Sequence, residues 1–295
     1  MANDSAIGRL SSLGITGDNL IIAFDFAMDN LTGGASSFGG DCLHDVSKGF
    51  PNQYMFSAAI VGHAMSNLCG GKAGRPVFLG FGAADRDVFS LGTANEHLRY
   101  EMRAGLRRYK QIAPHVRLGA SSSYVAPIEA AIEVAEKDGF HLLVIITCGR
   151  RNDMRATASA LERASKHPLS IVFVGVGDGP WTFFRDFRMC LAENDRAESR
   201  MALTNTSFIS FRDMSAMPRV RAKKDVLVSP GCLRELPDQY DDMARRGLIT
   251  AHRAGCRCAQ RRSHRILLPP IDVFWAEAAG RLVCREPVME YGPYA

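Results

Sequence analysis

The sequence predicts an α/β fold, a doubly wound and mostly parallel sheet with helices on both faces, followed by an irregular C-terminal extension. Three observations predict it. Short apolar runs of strand length recur along the chain, segments with helical spacing of apolar positions lie between them, and the composition is that of an ordinary globular protein. The 295 residues are 46% hydrophobic and 23% charged, with a mean hydropathy of −0.07, far from disordered, collagenous or coiled-coil compositions.

In chain order, residues 19–25 form an apolar run ending in Asp25, as expected of a central strand buried on both faces. Residues 54–68 have the length and spacing of a helix packed on a sheet, and residues 76–81 read as the next strand. Helical spacing returns over 96–112 and 126–136. The latter start is well marked, with Pro127 in the first turn, Ser123 or Tyr124 at the cap, and Ile128, Ala131, Ile132 and Ala135 on one face. A strand over 141–147, a helix over 154–164 and a strand over 169–176 follow, and 208–211 is a fifth strand candidate. Strand–helix alternation implies crossover connections, with ligand sites at the carboxyl ends of strands beside the topological switch point. Asp25, the loop 119–123 and Cys148-Gly149 all fall at such ends.

The apolar runs, such as 20–24 and 142–146, fall far short of the ~18 residues that cross a bilayer, so no membrane span is expected. The opening Met-Ala-Asn-Asp-Ser has neither a basic nor an apolar leader region, which makes a cytoplasmic location the default. Eight scattered cysteines (42, 69, 148, 190, 232, 256, 258, 284) do not frame short loops and read as reduced thiols. The net charge of +5 is local: residues 245–265 carry seven arginines and no acid, and the rest of the chain is slightly acidic. Pro269-Pro270, Pro287 and Gly292-Pro293 mark an extended tail.

Several blocks resemble a known family: Asn19-Leu-Ile-Ile-Ala-Phe-Asp-Phe26, Cys42-Leu-His44, Pro51-Asn-Gln-Tyr54, Gly80-Phe-Gly82, Asp87-Val-Phe-Ser90, Tyr109-Lys-Gln-Ile-Ala-Pro114, Ala126-Pro-Ile128 and Pro168 through Trp181. In this order they are similar to the copine-type von Willebrand factor A domain, above all to its version in plant RING-domain ubiquitin ligases. The resemblance implies a Rossmann-like sheet wrapped by helices. It also implies a division into an N-terminal arm (1–17), the copine-like domain (18–240) and a basic, proline-containing C-terminal extension (241–295). Neither the C2 domains nor the RING domain of such relatives is expected here.

The resemblance further implies a metal site, in which an Asp-x-Ser-x-Ser strand end, a Thr on a second loop and an Asp on a third hold Mg²⁺ and leave one position for a partner's carboxylate. Mg²⁺ requires near-octahedral oxygen ligands. Here the first motif is Asp25-Phe26-Ala27-Met28-Asp29, which loses one hydroxyl position to Ala27 and changes the other to Asp29. Ser123, beside Ser122, matches the Thr, and Cys148 stands where the third-loop Asp would be, a soft ligand poorly suited to Mg²⁺. Arg150 and Arg151 add positive charge. The expectation is a degenerate site, with Asp25, Asp29 and Ser123 the remaining Mg²⁺ candidates and no cofactor expected; Asp25 and Asp29 would instead pair with Arg150 or Arg151 or cap local backbone donors. Cys148 as a nucleophile would need an activating histidine, and none lies in the adjoining loops, so a buried structural thiol is expected.

His252, Cys256, Cys258 and His264 supply four zinc-type ligands, but Cys-x-Cys spacing is tight for one ion, so a plain basic loop with thiols is expected. The arginines of 245–265, among them Arg257, Arg261 and Arg262, suit an acidic protein surface, or RNA. No Phe, Tyr or Trp lies among them to stack on bases. Gly175-Val-Gly-Asp-Gly179 lacks the spacing of a phosphate loop. The expected function is therefore a non-catalytic protein-interaction or scaffold module within a larger assembly, contacting partners through loops 25–30, 119–124 and 148–153 (Asp25, Asp29, Ser122, Ser123, Arg150, Arg151) and through the tail arginines. The alternatives are a substrate-binding adaptor in ubiquitin ligation, a Mg²⁺-dependent ligand binder and an RNA-associated subunit.

Overall fold

The computed structural model describes residues 12–71, 74–92, 99–120, 123–149, 153–194, 196–216, 233 and 235–249. Six strands form one sheet in the order β3-β2-β1-β4-β5-β6. They are β1 (Leu20–Asp25), β2 (Val77–Ala83), β3 (Arg86–Ser90), β4 (His141–Thr147), β5 (Leu169–Gly175) and β6 (Thr206–Ser210). All pairs are parallel except β2–β3, an antiparallel hairpin at one edge. This is the expected mostly parallel α/β architecture, with β3 added: its burial alternates towards its charged start at Arg86 and Asp87, which suits an edge strand but hides it from a search for apolar runs.

The four central strands are buried along almost their whole length because helices cover both faces. Successive side chains point to opposite faces. Ile22, Phe24, Phe78, Val144 and Val172 enter one core with α1 (Gln53–Leu68), α2 (Met102–Ile112) and, later in the chain, α7 (Phe211–Ala216) and α8 (Leu236–Arg245). Ile21, Ala23, Leu79, Ile145 and Phe173 enter a second core with α3 (Val125–Asp138), α4 (Met154–Ala164), α5 (Phe183–Glu193) and α6 (Ala197–Thr204). Helix α1 is capped by Asn52, whose side chain accepts from Met55 N, and α4 by Asp153, which accepts from Arg155 N and Ala156 N. Helix α8 docks by Tyr240 against Phe140 and by Gln239 Nε2 donating to the Thr204 carbonyl at 2.9 Å.

β1 lies between β2 and β4, so the chain reverses its direction of sheet growth there. The carboxyl ends of β1 and β4, at Asp25 and Thr147, flank the crevice that such a reversal opens.

Candidate functional site at the ends of strands β1 and β4

The chain leaves β1 through a tight local turn in which Asp25 Oδ1 accepts the Ala27 N–H at 3.0 Å. The next segment is zipped to the loop before α3: Met28 N donates to the Gly119 carbonyl at 2.7 Å and Gly119 N to the Phe26 carbonyl at 3.1 Å. Gly119 is required there, because a Cβ would lie 2.4 Å from the Gly82 carbonyl oxygen. Two of the three expected loops are thus held together by main chain.

The third joins through Thr147. Its hydroxyl donates to Asp25 Oδ2 at 2.5 Å and accepts from Gly149 N at 2.9 Å. With its single proton on Asp25, Thr147 receives the proton of the Tyr124 hydroxyl at 3.1 Å. Both oxygens of the Asp25 carboxylate therefore have protein donors, and the residue is 1% exposed.

Beneath Asp25 lies a buried network that sequence spacing did not reveal. The Asp25 main-chain carbonyl receives Asn30 Nδ2 (2.9 Å) and His44 Nε2 (2.8 Å); the single Tyr54 proton goes to Asn30 Oδ1 at 2.7 Å, with the hydroxyl oxygen 3.1 Å from the same carbonyl. A carbonyl only accepts, so His44 carries its proton on Nε2, and Nδ1 accepts from the Tyr109 hydroxyl at 2.7 Å. Tyr109 in turn accepts from Asn52 Nδ2 at 3.2 Å. Burial lowers the His44 pKa from 6.5 to about 4, against the opposing pull of the Asp25 carbonyl, so the ring is neutral at pH 7. Its ring lies between Phe26 and Tyr54, 4.4 and 4.3 Å away and nearly parallel to both. Burial, then the Asp25 charge, holds the phenols of Tyr54 and Tyr124 well above their ordinary range, so both remain hydrogen-bond donors.

The loop after β5 completes the platform. Asp178 accepts Ser36 N and Ser37 N at 2.8 and 2.7 Å, while Gly177 N donates to Gln53 Oε1 at 2.7 Å. Gly177 has a φ of +81° and a Cβ there would sit 2.5 Å from the Gly33 carbonyl oxygen. These glycines turn the chain off its strand.

Of the sequence-derived candidates, the structure brings Asp25, Asp29 and Ser123 to the same end of the sheet. Asp29 is half-buried in a short 3-10 helix (Met28–Leu31), and its charge acts on Tyr124. Ser123 is exposed, and its hydroxyl accepts Val125 N at 3.3 Å. Cys148 is 2% exposed. Ser122, Arg150, Arg151, His252, Cys256, Arg257, Cys258, Arg261, Arg262 and His264 lie outside the described residues. Among the described residues no group of three or more His, Cys, Asp or Glu is placed to hold a metal ion, and Cys42, Cys69, Cys148 and Cys190 are not in disulfides.

The family profile described as Copine matches residues 42–252. The chain belongs to the copine family. Its relatives include the E3 ubiquitin-protein ligase RGLG5 of Arabidopsis thaliana, 32% identical over 90% of this chain and 62% of that protein. RGLG3 of the same plant is 31% identical over 95% of this chain and 76% of its own length. Copine family protein 1 of Caenorhabditis elegans is 32% identical over 83% of this chain and 22% of its own. The chain thus spans about three fifths of the first of these and about a fifth of the last. His44, Asn52, Tyr54 and Tyr109 fall inside the copine match, whereas Asp25 and Ala27 precede it. Among the described residues no helix is long and apolar enough to cross a membrane.

Proposed function

We propose that this copine domain is a non-catalytic interaction and scaffold module, a subunit of a larger assembly, whose metal site is degenerate and whose partner contact does not depend on Mg²⁺. The observation that carries the reading is Asp25, whose two carboxylate oxygens are bonded to Ala27 N–H and Thr147 O–H, with a methyl group at Ala27 where a ligand hydroxyl is expected. The donor set does not fit Mg²⁺: Ser123 accepts a backbone N–H and Cys148 offers a buried soft thiol. The contact face in this reading is the strand-end platform of Asp25, Asp29 and Ser123, and Ser122, Arg150 and Arg151, outside the described residues, are assigned to it from the sequence. The arginines of 245–265, including Arg257, Arg261 and Arg262, add charge-driven docking to an acidic surface.

Affinity purification of the tagged protein from its own cells tests this. A fixed set of protein companions that survives EDTA and nuclease is expected. Loss of companions on EDTA, together with calorimetric Mg²⁺ binding abolished by Asp25→Ala, would establish a working metal site instead. Loss on nuclease treatment would favour the RNA-associated alternative.

A second reading has support from the relatives named as E3 ubiquitin-protein ligases: a substrate-binding adaptor in ubiquitin ligation. Purified chain mixed with activating enzyme, conjugating enzyme and ubiquitin is expected to give no transfer. Robust transfer would overturn the non-enzyme reading.

A further inference from the structure

The packed platform is not the only surface suited to a partner. Helices α1 and α2 pack closely, the Met102 side chain filling the space a Cβ at Gly62 would need. Between them runs a groove of about 460 Å³ lined by Met55, Arg103, Leu106, Arg107 and Lys110. Its two walls differ in chemistry. Helix α1 has no Lys, Arg, Asp or Glu in its 16 residues, and α2 has four cations and no acid in its 11.

Three of those cations, Arg103, Arg107 and Lys110, stand at i, i+4 and i+7 and so form a row along one side of α2, roughly 10 Å long. All three are exposed, and none makes an ion pair with another described residue. The fourth, Arg108, is turned away and donates from Nε to the Leu91 carbonyl at 2.8 Å. Elsewhere on the surface arginines do find acids, as in Arg163 with Glu129 and Arg99 with Asp138.

We infer that this groove binds an acidic segment of a partner protein, with its acids along the α2 row and apolar side chains on Met55 and Leu106. Charge complementarity selects the occupant. The chain's own segment 245–265, with seven arginines and no acid, would be repelled by the row. A phosphate backbone would satisfy the cations but leave the exposed parts of Met55 and Leu106 uncovered, and no aromatic ring lines the groove for a base to stack on. An amphipathic acidic segment satisfies both walls. The inference rests on the interaction-module reading only in assigning the groove to a protein, since the strand-end platform is a separate surface.

A fluorescein-labelled peptide of repeated Glu-Glu-Leu units, titrated by anisotropy into the full chain, tests it. Saturable binding is expected that weakens with added salt and falls roughly tenfold or more in the Arg103→Glu, Arg107→Glu double variant. Leu106→Ser is expected to weaken it as well. The double variant changes only exposed side chains, and an unchanged melting temperature confirms its fold. Equal affinity in wild type and double variant, equal binding of a Lys-Lys-Leu peptide, or displacement by single-stranded RNA with no dependence on Leu106 would each overturn the assignment. Concentration-dependent self-association lost in the same variant would assign the groove to a second copy and equally overturn it. If the peptide fails while companions still co-purify with the chain, the groove is wrong and the module reading stands.

Discussion

The two faces of the sheet solve the same burial problem differently. On the α1/α2 side, directly under Asp25, the packing includes five polar side chains, Asn30, His44, Asn52, Tyr54 and Tyr109, each hydrogen-bonded to another or to the Asp25 carbonyl. On the α3–α6 side the centre is aromatic: Phe173 meets Tyr124, Phe183 and Phe187 at ring separations of 5.2, 5.6 and 5.3 Å. The aromatic side supplies area-driven stability with tolerance in detail. The polar side accepts one arrangement only, since any member that moves leaves a buried group unpaired. The comparison locates specificity under the strand ends, while apolar burial stabilises both faces.

The largest expected effect is on the aromatic face. Phe187→Ala should cost about 4 kcal/mol in urea unfolding, and a cost below about 1 kcal/mol would show that the cluster is not close-packed. Next, His44→Leu should cost about 3 kcal/mol although leucine is apolar and of similar size, because the Asp25 carbonyl loses a donor and the Tyr109 hydroxyl its acceptor. If that face were held by packing alone, the substitution would stabilise the fold. The difference between the faces would then vanish.

Acid sharpens the contrast. His44 and His141 both have pKa values lowered by burial from 6.5 to about 4, with the Arg99 charge adding to the effect at His141. The unfolded chain therefore takes up protons first as pH falls through 6.5, and stability is lost progressively down to about pH 4. Unfolding at pH 4.5 compared with pH 7 should show a loss of roughly 2 kcal/mol per histidine. The loss should be smaller in His44→Leu and undiminished in Phe187→Ala. The smallest effect is expected for Thr147→Val, roughly 1–2 kcal/mol, from the loss of the donor to Asp25 and of the acceptor for Gly149 N.

What the sequence showed, and what it hid, follow the range of the interactions. β4 and α4 run over the expected residues, and β1 and β5 differ by one residue at an end, because strands buried on both faces are continuous apolar runs. β3 is hidden in the sequence because an edge strand keeps polar residues, and its partner is chosen by a hairpin rather than by an apolar run. Helices α5, α6, α7 and α8 are hidden too, and the aromatic residues of α5 become intelligible only against Phe173. At the site, Asp25 was visible as the acid that ends an apolar strand. The polar network was present in the sequence only as blocks of resemblance at His44, Tyr54 and Tyr109. Its bonds join residues far apart in the chain, such as His44 to Tyr109, and no local spacing encodes them.

The strand order also sets a timetable for synthesis. Ile22 pairs with Phe78 on one side, but its other partner is Val144, far downstream. A ribosome delivers β1, a fully buried strand at the sheet's centre, long before the strand that covers its second edge. Until β4 emerges, that edge presents unpaired N–H and C=O groups flanked by isoleucine and phenylalanine, an invitation to aggregation. The nascent chain therefore has a defined window of vulnerability that closes as residues 141–147 leave the exit tunnel, and a chaperone acting on this protein would be needed most in that interval.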